Sequence, residues 1–217
     1  MSGGALSGRC WRRWSAAAAL IALILCVIGA DVAAEPPRSP GARTGIFGLE
    51  AQGNRFVYVF DRSASMGEPE GRPLAVAKEE LLASIDGLGD SQQFHVIFYN
   101  ERPLAFAPDA GRGRPMFASE ENRQAARRFV AGVAAAGGTR HYEAIAAAAK
   151  LAPDVIFVLT DATADDDLAE DELRWLTRAA GHARIMVVQF GGDDRRSPRL
   201  ARLAEQTGGA YKVVAPP

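Results

Sequence analysis

Four short runs of apolar residues recur along the chain from Arg55 onward. They are "RFVYVF", "QFHVIFY", "DVIFVLT" and "ARIMVVQF". Each run is apolar at successive positions, whereas a half-exposed strand would alternate apolar and polar residues. This pattern predicts strands in the middle of a sheet that is covered on both faces.

Segments with helical periodicity lie between these runs, among them "RPLAVAKEELLASIDGL", "ENRQAARRFVAGVAAA", "HYEAIAAAAKLA", "DDDLAEDELRWLTRAA" and "SPRLARLAEQT". Strands that alternate with helices of this length are typical of a mostly parallel sheet. Only Glu101 separates "QFHVIFYN" from "RPLAFAP", so that connection predicts an antiparallel hairpin at the sheet edge. The segment "AYKVV" predicts a last strand. The predicted fold class is α/β: a doubly wound, mostly parallel sheet with one antiparallel edge strand and helices on both faces.

The N-terminal residues have a different character. Three arginines precede the apolar run "SAAAALIALILCVIGA", an order typical of an export signal. The run spans about 16 residues, shorter than the roughly 18 expected of a membrane-spanning helix. Small residues at 32–34 offer a cleavage position. Residues 1–34 are therefore predicted to be a signal peptide, or an N-terminal membrane anchor if Trp11 and Trp14 lie at a bilayer interface.

Residues 35–54 contain three prolines and four glycines, a composition that predicts a linker. The stretch "GIFGL" within it could add a short edge strand. The predicted domain then covers residues 55–217. Both cysteines precede residue 35, so a cleaved chain could form no disulfide, and its stability would depend on core packing, with or without a bound metal.

Polar residues follow two of the predicted central strands. Asp61, Ser63 and Ser65 come directly after "FVYVF", and Asp161 comes directly after "DVIFVLT". Thr139 opens a predicted helix after a pair of glycines. Ligands of doubly wound sheets bind beyond the carboxyl ends of the strands. We therefore expect these five side chains to meet at one edge of the sheet.

The chemistry of the five side chains is consistent. Two carboxylates and three hydroxyls are hard oxygen donors, which suit Mg²⁺, Mn²⁺ or Ca²⁺ and disfavour zinc or copper. Taken singly, each residue has an ordinary structural interpretation as a turn or helix cap. Their order and their placement at strand ends favour a metal site.

The D-x-S-x-S motif at Asp61 to Ser65, with the separate Thr139 and Asp161, resembles the metal-ion-dependent adhesion site of von Willebrand factor A domains. The resemblance covers roughly Arg55 to Val214 and implies a Rossmann-like fold. It implies that Ser63 and Ser65 are direct ligands and that coordination by Thr139 changes with conformation. Asp61 and Asp161 would be charge-balancing groups. It also implies that the metal binds an acidic residue of a protein partner.

The sequence therefore predicts a binding module rather than an enzyme. It would be exported to the periplasm or the extracellular space, or held at a membrane. Any attachment to the membrane would be through an uncleaved N-terminal segment alone. The formal net charge of −1 gives no basis for nucleic-acid binding. Two alternatives stay open: a metal-dependent phosphate-ester hydrolase with His141 or Glu143 as its base, and a scaffold domain whose metal site is vestigial.

Two further features have structural interpretations. Asp165, Asp166 and Asp167 precede "LAEDELRWL" and are expected to stabilise the positive N-terminus of that helix. His141 is expected at a helix start or at the surface, although it lies two residues after Thr139 and could line the rim of the site.

Overall fold

The computed structural model of the chain describes residues 41–108, 113–192 and 196–215. The predicted signal peptide or anchor at 1–34 and the beginning of the predicted linker lie outside the described residues. Within the described part, no helix combines the length and the apolar character needed to cross a membrane.

The described residues form nine strands and five α-helices. The strands are β1 Ala42–Ile46, β2 Leu49–Gly53, β3 Arg55–Asp61, β4 Gln93–Tyr99, β5 Pro103–Ala105, β6 Met116–Phe117, β7 Val155–Thr160, β8 Arg184–Phe190 and β9 Tyr211–Val214. The helices are α1 Arg72–Asp86, α2 Glu120–Ala131, α3 His141–Ala149, α4 Glu170–Ala180 and α5 Pro198–Gln206. Two short 3₁₀ turns cover Ala64–Gly67 and Ala164–Asp166.

The main sheet has the strand order β5-β4-β3-β7-β8-β9. Strands β4, β3, β7, β8 and β9 pair in parallel along this order. Strand β5 pairs with β4 in the antiparallel sense, as the short connection at Glu101 predicts. Strand β6, which the sequence analysis did not predict, also pairs antiparallel with β4. The predicted α/β class and mostly parallel sheet are confirmed.

Two apolar layers cover the faces of the sheet. On β3, Phe56, Tyr58 and Phe60 face one layer, which contains α1, α2 and the β1–β2 hairpin. Val57 and Val59 face the other layer, which contains α3, α4 and α5. Successive residues of β3 are thus buried on opposite faces, which explains why the run is apolar throughout.

The β1–β2 hairpin corrects the prediction of a linker for residues 41–54. Ile46 is fully buried in the core. Thr44 Oγ1 lies 2.9 Å from the carbonyl oxygen of Ser84 in α1, and Phe47 N donates to the carboxylate of Glu80 at 2.8 Å. The glycine content that suggested a linker serves a tight turn instead, because Phe47 and the glycine after it have φ angles of 49° and 71°.

The connections bring the ends of β3 and β7 together. From β3 the chain continues to β4 on one side, and it later returns to β7 on the other side of β3. Because β3 and β7 are parallel neighbours, their carboxyl ends lie side by side. This is the switch point at which doubly wound sheets bind ligands.

Candidate metal centre

Asp61 is the last residue of β3 and is fully buried. Its Oδ1 accepts a hydrogen bond from Ser63 N at 2.8 Å, and its Oδ2 accepts one from Thr160 Oγ1 at 2.6 Å. Burial raises the pKa of Asp61 to about 7, against the opposing effect of these hydrogen bonds. A cation beside this carboxylate would offset the cost of its buried charge.

The two serines place their hydroxyls on the same side of the loop that follows β3. Ser63 is buried and Ser65 is exposed, and their Oγ atoms are 3.1 Å apart. Ser65 Oγ also donates to Oδ1 of Asp161 at 2.9 Å. Hydrogen bonds therefore connect four of the five predicted site residues, although Asp161 lies 96 positions from Ser65 in the sequence.

Thr139 lies at the same edge of the sheet but is placed differently. Two backbone hydrogen bonds hold its loop against the serine loop: Ala136 N donates to Arg62 O at 2.8 Å, and Ala64 N donates to Gly137 O at 2.9 Å. Thr139 itself is half-buried and lines a neighbouring cavity. Within the described residues, its hydroxyl does not join the hydrogen-bonded chain of the other four.

The spacing of the donor atoms can be compared with the needs of an ion. Oxygens bound to Mg²⁺ at 2.0 to 2.1 Å in an octahedron lie about 2.9 Å from their neighbours. The separations found here are 3.1 Å between the serine Oγ atoms and 2.9 Å between Ser65 and Asp161. An ion could therefore replace these hydrogen bonds without large movements of the side chains, and the donor set fits a hard cation.

The candidate centre lacks the His and Cys ligands that are typical of a zinc site. Across residues 41–108, 113–192 and 196–215, no three His, Cys, Asp or Glu side chains come together as a metal-binding group. The candidate centre has only two carboxylates and relies on hydroxyls for its other protein ligands. Such an oxygen-rich, low-charge set is compatible with Mg²⁺ or Mn²⁺.

Two residues that support the candidate centre were not predicted from the sequence. Thr160 Oγ1 bonds to Asp61 and also accepts from Ala162 N at 3.0 Å. The fully buried Gln189 donates from Nε2 to Ala162 O at 2.7 Å. Together they fix the backbone next to Asp161. Two features of the sequence could have indicated these residues. Thr160 carries a hydroxyl at the end of a predicted buried strand, and Gln189 is a polar residue within the apolar run "ARIMVVQF".

His141 begins α3, as expected, but it is only 2% exposed and so is not a surface residue. Its Nδ1 lies 2.8 Å from the hydroxyl of Tyr99. Burial lowers the pKa of His141 to about 4, against the opposing charges of Asp167 and Asp166. The imidazole is therefore neutral at physiological pH.

One of the three consecutive aspartates, Asp167, differs from the expectation. Asp167 accepts hydrogen bonds from Arg199 N at 2.7 Å and Leu200 N at 3.2 Å. It therefore caps α5 rather than the helix that follows it in the sequence. At the start of α4, Ala169 N donates instead to Glu172 at 2.9 Å.

Residues 54–213 match the family model of the von Willebrand factor type A domain. The chain belongs to this family. Its domains are protein-interaction modules, and the family resemblance expected from the sequence is confirmed. We refer to the domain below as the VWA domain.

The VWA domain is similar to several known proteins. It is 35% identical over 106 residues to human inter-alpha-trypsin inhibitor heavy chain H4, a match that covers 48% of this chain and 10% of that protein. Among solved structures, a von Willebrand factor type A protein from Catenulispora acidiphila aligns with a TM-score of 0.67 at 21% identity, covering 83% of this chain and 47% of that one. BatB from Bacteroides thetaiotaomicron aligns with a TM-score of 0.55 at 16% identity, covering 76% of this chain and 92% of that one. At these identities the solved structures bear on the fold alone.

Proposed function

We propose that this VWA domain is an exported, non-enzymatic binding module that holds a divalent cation and grips an acidic group of a protein partner. Asp61, Ser63, Ser65, Thr139 and Asp161 would hold the ion, with Mg²⁺ the first candidate and Mn²⁺ or Ca²⁺ the others. The observation that carries the proposal is the position of the Ser65 hydroxyl, which contacts both Ser63 Oγ and Asp161 Oδ1. Oxygen donors from two separate strand ends thus converge on one position.

The burial of these residues suits a site that is closed below and open above. Asp61 is fully buried, Asp161 is half-buried and Ser65 is exposed. Two carboxylates balance the charge of a divalent cation, and the exposed side leaves room for a further ligand. When bound, the ion would supply the positive charge that pairs with a carboxylate of the partner.

Burial argues against one of the two candidate bases of a hydrolase. A metal-dependent hydrolase needs a general base within reach of the substrate. His141, the first candidate for that role, is 2% exposed and its Nδ1 is bonded to Tyr99. Glu143, the second candidate, lies in the first turn of α3 and lines the cavity beside Thr139.

Export is proposed from the arginine-flanked apolar segment within residues 1–34.

The acidic-partner part of the proposal can be tested with a minimal probe. Acetyl-aspartate amide is titrated calorimetrically into the full chain in Mg²⁺ and in EDTA, with acetyl-asparagine amide as the uncharged analogue. We expect saturable binding of the aspartate probe in Mg²⁺ only, and none of the asparagine probe. Ser65→Ala should abolish the binding.

The matched control is Ser91→Ala, which removes an exposed hydroxyl that precedes β4, at the opposite end of the strands. This variant should bind the aspartate probe as the wild type does. Equal binding of that probe in EDTA, or undiminished binding by Ser65→Ala, would contradict the proposed role of the metal. Failure of the aspartate probe in Mg²⁺ would contradict the acidic partner alone, because metal binding is measured separately.

A further inference from the structure

A cavity of about 280 Å³ lies between the N-termini of α3 and α4, beside Thr139. Its charged lining consists of Arg140, Glu143, Asp165, Asp166, Asp167 and Glu172. Five carboxylates thus face one guanidinium. Each of the two helix N-termini contributes about half a positive charge. The sum is still about three negative charges, so the cavity attracts cations.

The carboxylates differ in the hydrogen bonds that they already accept from the protein. Asp167 uses both of its side-chain oxygens to accept backbone N–H groups, including two at the start of α5. Glu172 accepts from Ala169 N. Asp165 and Asp166 are exposed on a 3₁₀ turn, and Asp166 has only a long contact of 3.4 Å with the hydroxyl of Thr163 among the described hydrogen bonds. These two aspartates, together with the exposed Glu143, are the carboxylates of the lining that are left to pair with a ligand.

A buried imidazole nitrogen supplies a second, independent observation. His141 lines the cavity and is 2% exposed, and within the described residues its Nε2 has no hydrogen-bond partner. Its Nδ1 faces Tyr99 in the interior. Because the two nitrogens lie on different sides of the ring, Nε2 points away from Tyr99. Asp166 and Asp167, whose charges act on the ring, line the same cavity as His141. A buried polar atom without a protein partner is satisfied in native structures by water, an ion or a ligand.

The contact of His141 with Tyr99 is compatible with Nε2 as an acceptor. The Tyr99 hydroxyl lies 2.8 Å from Nδ1 and either donates to it or accepts from it, according to the tautomer of the ring. When Nδ1–H donates to Tyr99, Nε2 carries a lone pair. In that tautomer the cavity offers carboxylate and imidazole acceptors to a ligand.

We propose that this cavity binds the guanidinium group of an arginine in a peptide partner, with Asp165 and Asp166 as its ion-pair partners and Nε2 of His141 as a hydrogen-bond acceptor. A guanidinium is favoured over an ammonium because its planar fork of donors can bond to two acceptors at once. This site does not depend on an ion at Asp61.

The test is a calorimetric titration of the full chain in EDTA with acetyl-arginine amide. Acetyl-citrulline amide, which has nearly the same shape without the charge, is the control ligand. We expect saturable binding of the arginine probe only. The double variant Asp165→Asn with Asp166→Asn should bind it at least tenfold more weakly. Asp171→Asn with Glu205→Gln, which removes two exposed carboxylates outside the cavity, should bind within twofold of the wild type.

Two results would overturn the proposal: citrulline binding as tightly as arginine, or the Asp165 and Asp166 double variant keeping wild-type affinity. Thermal unfolding shows whether each variant is folded. The ¹⁵N resonance of His141 Nε2 should shift on addition of the arginine probe, and saturable binding without that shift would exclude the imidazole from the site. EDTA throughout keeps the outcome independent of metal binding at Asp61.

Discussion

Thr160 Oγ1 lies 2.6 Å from Oδ2 of Asp61 and joins the last residue of β7 to the last residue of β3. The same oxygen accepts from Ala162 N at 3.0 Å. One hydroxyl thus supports the buried carboxylate and the backbone beside Asp161. The hydrogen bonds of these two strand ends position the candidate ligands.

Replacing Thr160 with valine should weaken both the fold and the metal site. Thr160→Val keeps the shape of the side chain but leaves a buried carboxylate oxygen and a backbone N–H without a partner. We expect a loss of about 1 to 3 kcal/mol in the free energy of unfolding, measured with urea, and weaker Mg²⁺ binding by calorimetry. The control Thr177→Val removes a hydroxyl from α4 and should leave Mg²⁺ affinity unchanged. Equal Mg²⁺ affinities of the two variants would argue against the role of Thr160.

The raised pKa of Asp61 predicts a specific dependence of stability on pH in the absence of metal. The pKa is about 7 in the folded state, against 3.8 for an unperturbed aspartate, so the folded state binds the proton more tightly. The free energy of unfolding should fall as pH rises from about 4 to 7, by up to about 4 kcal/mol at this site. Urea unfolding in EDTA should show this fall in the wild type relative to Asp61→Asn, and saturating Mg²⁺ should reduce it. Parallel pH profiles of the two proteins would contradict the prediction.

The lowered pKa of His141 predicts the opposite sign. Its pKa is about 4 in the folded state, against 6.5 for an unperturbed histidine. The stabilisation is therefore fully present above pH 6.5 and is lost as pH falls toward 4, by up to about 3 kcal/mol. NMR titration of the ring should show a neutral imidazole down to about pH 5. A midpoint near 6.5 would mean that the ring is not buried as described.

The β1–β2 hairpin should contribute to the stability of the domain. Ile46 is fully buried against α1, and Ile46→Ala should lower the free energy of unfolding by about 2 to 5 kcal/mol. Leu104→Ala, at a residue that is 41% exposed, is the control and should have little effect. Similar urea midpoints for the two variants would instead support the prediction that residues 41–54 are a linker.

The central strands and the positions of Asp61 and Asp161 could be predicted from the sequence. A strand buried on both faces is apolar at every position, and β3 has this pattern from Phe56 to Phe60. A charged residue at the end of such a strand lies at a carboxyl edge, where parallel neighbours bring their ends together. These parts of the fold follow from local patterns and one topological rule.

The hairpin and the supporting contacts could not be predicted in this way. Each strand of the hairpin has only five residues, too few to show a clear alternation, and distant residues of α1 hold it in place. The same applies to Asp167, which caps a helix about 32 positions further along the chain. Contacts between residues far apart in the sequence leave no local signal.

Calorimetric titration of Mg²⁺ into the full chain, with Ser65→Ala and Ser91→Ala measured alongside, decides whether the domain holds a metal at the ends of β3 and β7. We expect one saturable site in the wild type and in Ser91→Ala, and a loss of at least about tenfold in affinity in Ser65→Ala, because Ser65 contacts both Ser63 and Asp161. Absence of saturable binding in the wild type, or equal binding by Ser65→Ala, would contradict a metal centre at the ends of β3 and β7.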